Sequence, residues 1–183
     1  LRMIRVNFLL IAILIITSCK KDKNKVDEPV FSDDEELITT FVITFYDSAG
    51  TQFITQVQFK DVDGAGGNLP SVFDTIKLGN NKVYNASIIF LNESVLPADT
   101  VSKEVEEEST DHIFCYSPSN VNVDIKRTDT DGTYELGLKS EWSTGNAGTG
   151  VVNIKLKHQP GTKNGTCTPG ETDIELDFVT TIE

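Results

Sequence analysis

From residue 37 onward, apolar and polar positions alternate with a period of two. Leu37, Thr39, Phe41, Ile43 and Phe45 fall on one side of an extended segment, with Ile38, Thr40, Val42, Thr44 and Tyr46 on the other. Phe53, Thr55, Val57 and Phe59 repeat the pattern after Asp47-Ser48-Ala49-Gly50, whose residue types suit a turn. Further runs follow at residues 83–91 and 112–116, then at Val121-Val123-Ile125, Tyr134-Leu136-Leu138, Val152-Ile154-Leu156 and Ile174-Leu176-Phe178. In the last run Asp173, Glu175 and Asp177 share the opposite parity, which predicts one solvated face. Strands wet on one side belong to antiparallel sheets rather than to a parallel α/β core. The expected fold is an all-β antiparallel sandwich, Ig-like or related, of about eight or nine strands.

Glycine and proline punctuate these runs, and all 13 glycines lie beyond residue 49. One stretch departs from the period of two. Between residues 99 and 109, Val101 and Val105 recur at helical spacing after Pro97, with Asp99 in place for an N-cap. Glu104, Glu106, Glu107 and Glu108 crowd the far end, against the helix dipole. The segment reads as one short helix or as an acidic crossover loop.

The first 18 residues follow a different logic. Arg2 and Arg5 precede the apolar run Phe8 to Ile16, and small Thr17 and Ser18 come before Cys19. A basic start, a short greasy stretch and small residues read as a secretory signal. An uncleaved anchor helix is the alternative, and the run is short for the roughly 20 residues that span a bilayer. Ile16-Thr17-Ser18-Cys19 resembles the lipobox of bacterial lipoproteins. That resemblance implies cleavage before Cys19 and acylation of its thiol and amine; several acyl chains anchor far more firmly than one. Lys20 at the next position, by the same resemblance, implies passage to the outer membrane. Residues 19–34 would then be the acylated cysteine and a flexible tether, since residues 20–34 are charged, poor in large apolar groups and broken by Pro29. The sandwich would occupy residues 35–183.

Charge narrows the partners. With 16 Lys and Arg against 28 Asp and Glu, the formal net charge is −12. Such a surface disfavours nucleic acid, whose phosphates are bound by clustered cations. With Cys19 acylated, Cys115 and Cys167 remain. Outside the cytoplasm an even pair is a disulfide candidate, and two unpaired thiols are the alternative.

Two places carry metal-binding residue types. In Asp61-Val62-Asp63-Gly64-Ala65-Gly66-Gly67-Asn68, acids two apart meet glycines that permit sharp turns, and Asp61, Asp63 and Asn68 offer oxygens to Ca²⁺. The competing reading is a connector closed by Asx-type hydrogen bonds, because Ala65 and Val72 stand where an EF-hand loop needs ligands. His112 and His158 are the only histidines. His112 follows Glu106, Glu107, Glu108 and Asp111, a setting for a Zn²⁺-type site, with a strand-end histidine half covered by loops as the alternative. Trp142 and Tyr134 are a ligand platform or ordinary packing.

Enzyme motifs are missing. The sequence holds no Gly-x-Ser-x-Gly, His-Glu-x-x-His, phosphate-cradling loop or Cys-x-x-Cys. A carboxylate pair acting on glycans, or an esterase site, has no residues that single it out. The folded part resembles uncharacterised outer-membrane lipoproteins labelled as having a type 1 periplasmic-binding fold. The resemblance is carried by Glu35-Glu36-Leu37-Ile38-Thr39-Thr40, Asp61 to Gly67, Leu91-Asn92-Glu93-Ser94, Glu104 to His112 and Gly170 to Glu175. A periplasmic-binding fold implies two doubly wound α/β lobes, against which the strand pattern and length argue for the sandwich. Relatives of this kind look like companions of TonB-dependent receptors, which implies capture of a ligand or metal at the outer membrane. The expectation is a non-catalytic binding module, with a structural spacer acting through protein contacts as the alternative and a glycan- or ester-acting hydrolase behind it.

Overall fold

The structure, a computed structural model, describes residues 37–63 and 67–183, all within the compact unit Glu35–Glu183. The stretches expected to be a signal and a tether, Cys19 between them, and Gly64 to Gly66 lie outside the described residues. Ten strands and one helix follow in the order β1 (Thr40–Tyr46), β2 (Phe53–Lys60), β3 (Val72–Phe73), β4 (Ile76–Leu78), β5 (Val83–Leu91), α1 (Val101–Glu107), β6 (His112–Ser119), β7 (Val123–Arg127), β8 (Lys139–Thr144), β9 (Gly148–His158) and β10 (Glu171–Ile182). They form a six-stranded sheet, β3-β2-β1-β5-β8-β7, and a four-stranded sheet, β4-β10-β9-β6. The architecture is the expected all-β sandwich.

The alternating runs explain the layers. Phe41, Ile43 and Phe45 of β1 are fully buried, as are Val152, Ile154 and Leu156 of β9 to within 1%. Aromatic contacts join the sheets: Phe41 meets Phe178 with centroids 5.7 Å apart, and Phe90 stacks on Phe114 at 5.3 Å. Trp142 sits edge-on to Phe45 at 5.1 Å and donates its indole N–H to Ser140 Oγ at 2.9 Å. Such pairs add to the area term, which is worth roughly 25 cal/mol per Å² of apolar surface. Trp142 is therefore a core residue and not a ligand platform; Tyr134 lies partly exposed in a loop.

Four details differ from the sequence pattern. First, β4 runs parallel to β10, pairing Thr180 with Ile76, in an otherwise antiparallel structure. The short run from β3 to β4 switches from the edge of one sheet to the edge of the other, a corner of the kind that closes sandwiches. Second, Tyr134, Leu136 and Leu138 are not in a strand; only Glu135 makes an isolated bridge, to Thr130. Leu136 and Leu138 are still buried, but Gly137 adopts φ 100° and the Asp129 carboxylate accepts the N–H groups of Gly137 and Lys139 at 2.6 and 3.0 Å. A Cβ at Gly137 would collide with Phe114 and Arg127.

Third, the helical alternative for residues 99–109 holds over Val101–Glu107, but Thr100 rather than Asp99 takes the N-cap position. Val101 and Val105, four apart, anchor it to the core at 2% and 0% exposure. Fourth, β10 carries a bulge between Thr172 and Ile174, so Asp173 is an extra residue opposite β9. A bulge interrupts the strict alternation of faces. Asp173 accordingly does not point outward with Glu175 and Asp177: its side chain is 1% exposed.

Cys115 and Cys167 form a disulfide with Cα atoms 6.0 Å apart. It ties β6 to the loop of residues 159–170 and spans 52 residues, for which loop entropy alone contributes on the order of 4 kcal/mol.

Candidate functional site

The clearest concentration of chemistry lies where the four-stranded sheet meets the loop 159–170. Antiparallel pairing places His112 of β6 opposite His158 of β9, and His158 opposite Glu171 of β10. Direct cross-strand partners have Cβ atoms about 4.5–5.5 Å apart. The two imidazoles stack accordingly, with centroids 4.7 Å apart and planes 8° from parallel. Phe114 and Leu156 continue the same facing rows into the core, so His112 sits at the polar end of an apolar stripe.

His112 is 1% exposed. Its Nδ1 lies 3.2 Å from the Glu108 carbonyl, an acceptor only, so the Nδ1–H donates and the neutral ring keeps its lone pair on Nε2. That Nε2 has no hydrogen-bond partner among the described residues. It faces Asp173 Oδ2 at 3.7 Å, beyond hydrogen-bond reach, and both side chains are 1% exposed. Burial pulls the His112 pKa below the ordinary histidine value, with His158 lowering it further and the Glu108 carbonyl opposing. The neutral ring is the form that ligates metals. One ligand atom from each of Glu108, His112 and His158 lies within 4.8 Å of the others, Glu108 being exposed and His158 partly buried. Two residues named from the sequence thus come together, and the preceding acid that joins them is Glu108. Asp173 was not legible, because only the bulge turns it inward.

The surrounding loop is held by polar links instead of an apolar core. Buried Gln159 donates from Nε2 to the Thr166 and Pro169 carbonyls at 2.9 and 2.8 Å, and its N–H donates to the Asp111 carbonyl. Lys163, 3% exposed, donates to Asp131 Oδ2 at 2.6 Å and to the Ser109 carbonyl at 2.7 Å. Burial pushes the Asp131 carboxyl up, but Lys163 and the N–H groups of Tyr134 and Thr133 outweigh it and hold the pKa near about 2. Gly170, at φ 82°, passes so close to the His158 carbonyl that a Cβ would not fit.

The second proposed place is arranged differently. Asp63 Oδ2 accepts the Asn68 backbone N–H at 2.9 Å and its side-chain N–H at 2.7 Å, which lower the exposed Asp63 carboxyl's pKa. Asn68 thereby turns nitrogen, not oxygen, toward Asp63. That hydrogen-bonded closure is the connector arrangement, and a Ca²⁺ ion drawing on Asp61, Asp63 and Asn68 would have to replace it.

Shallow grooves flank α1 and the disulfide, each of roughly 300 Å³; the one beside α1 is lined by Ser87, Lys103, Glu106, Asp129 and Lys139 among others. No helix among the described residues is long and apolar enough to cross a membrane. The fold and site together define a two-layer β-sandwich with a stacked histidine pair at one end, His112 buried and His158 partly exposed. Compared with known proteins, the chain matches no family model, no curated protein and no solved structure.

Proposed function

We propose that this protein is a lipid-anchored cell-envelope binding module, non-catalytic, that captures a ligand or metal at the outer membrane as the accessory of a TonB-dependent receptor. The observation that carries the reading is the Cys115–Cys167 disulfide, because such bonds persist in oxidising compartments. It agrees with the lipobox-like Ile16-Thr17-Ser18-Cys19, which would leave the sandwich on a charged tether. Loops on a stiff sheet scaffold are where binding function commonly resides, and the loop 159–170 is such a loop, stapled to β6.

The anchor is tested in a diderm bacterium by membrane fractionation and acyl labelling of wild type and Cys19→Ala. Wild type should take the label and sediment with outer membranes, while C19A, neither acylated nor cleaved before residue 19, should be unlabelled and absent from the outer-membrane fraction. Equal partitioning of the two, or an unlabelled wild type, removes the anchor. Co-purification of a TonB-dependent receptor with the labelled protein supports capture, whereas recovery of the protein alone favours a spacer.

A further inference from the structure

His112 Nε2 and Asp173 Oδ2 face each other across 3.7 Å, and both side chains are 1% exposed. Buried polar atoms are normally satisfied, and the His112 Nε2 is not. The spacing has a simple chemical meaning. Two ligands of one tetrahedral ion, with bonds of about 2.0–2.2 Å, stand about 3.3–3.6 Å apart. The tautomer is also the one a metal ligand needs, since Nδ1–H is held by the Glu108 carbonyl as metal-bound imidazoles are held by their outer partners.

We propose that His112 Nε2, His158 and the Asp173 carboxylate, with Glu108 as an outer oxygen donor, form a site for one divalent transition ion of the zinc class. One rearrangement is required. An ion must lie in the plane of each imidazole that binds it, and the parallel stack at 4.7 Å keeps the two ring planes apart. His158, partly exposed at the end of β9, must swing out of the stack, while His112 stays locked by its backbone hydrogen bond. The donor set of imidazoles and carboxylates suits Zn²⁺, Ni²⁺ or Cu²⁺, and its nitrogens disfavour Ca²⁺. The site deepens the reading of the domain as a capture module, but ion binding is independent of membrane attachment and is measured without it.

The test is calorimetric titration of the untagged C19A chain with ZnCl₂, Cys19 being removed because its thiol would itself bind zinc. Co²⁺ absorption serves as a second readout of the ligand field. One ion per chain is expected, with no heat from CaCl₂. His158→Gln, which leaves the buried ring in place, should keep its melting temperature and bind at least about tenfold more weakly. Zn²⁺, Ni²⁺ and Cu²⁺ that give neither heat nor a shift in melting temperature would overturn the site. So would a folded H158Q with unchanged affinity, since His158 is one of the proposed ligands.

Discussion

Two equally buried regions of this sandwich are built on opposite principles. Under β1, β5 and β8, Phe41, Phe45, Tyr84, Phe90 and Trp142 pack as a nearly pure aromatic and aliphatic core. At the end where β6, β9 and β10 meet the loop 159–170, the buried side chains are His112, Asp173, Gln159, Lys163 and Asp131. The first region needs only shape and hydrophobicity, and tolerates exchange among residues of like volume. The second needs each partner, because a buried charge or amide without its mate costs more than the pair contributes. It also carries the disulfide, the β10 bulge and a crowded glycine. Mutually dependent polar devices of this kind make that end less tolerant of single substitutions than the apolar core.

The sharpest contrast should come from removing bulk on one side and a charge on the other. Phe178→Ala, which empties the space between Phe41 and Phe73, should destabilise by about 3–5 kcal/mol in denaturant unfolding with little change in ion binding. Lys163→Met should cost about 3 kcal/mol by stranding Asp131 in the interior. The double variant Lys163→Met with Asp131→Asn should recover part of that loss. If the single and the double were equally unstable, the pair would not be the coupled unit described here.

The smallest effect is on pH dependence, and it separates the groups. His112 has its folded pKa below the ordinary value, so the unfolded chain binds the proton more readily. Its contribution to stability is complete above about pH 6.5 and declines as the pH falls toward its folded pKa. Asp131 acts in a lower window. Its folded pKa near about 2 lies below the ordinary 3.8, so its contribution is complete above that value and disappears as the pH falls through about 2. Melting temperature followed from pH 7.5 downward should therefore drop in two separated steps, the upper one missing in His112→Gln. Saturating Zn²⁺ should shift the upper step to lower pH, because the ion competes with the proton for the same nitrogen.

Much of the architecture was legible because the residues alternate cleanly. Phe41-Ile43-Phe45, Val152-Ile154-Leu156 and Leu176-Phe178 each present one apolar face, and those faces became the two inner surfaces. Val101 and Val105 marked the one helix among the described residues by their spacing. The pattern failed where local chemistry overrode parity. Leu136 and Leu138 look like strand residues, yet the Asp129 carboxylate and the positive φ of Gly137 hold them in a non-ladder segment. Ile76-Lys77-Leu78 is too short to announce itself, and finds its strand only by pairing with β10.

The sequence by itself determined the class of fold, the pairs of residue types able to crosslink or bind metal, and the acidic surface, since these depend on periodicity and composition within a few residues. Only the tertiary structure decided that Cys115 meets Cys167, that His112 stacks on His158, and that Asp173 turns inward. Those are matters of strand register and of one inserted residue in β10. Each strand alternates equally well in several registers, and only the packing of the two sheets against each other selects one.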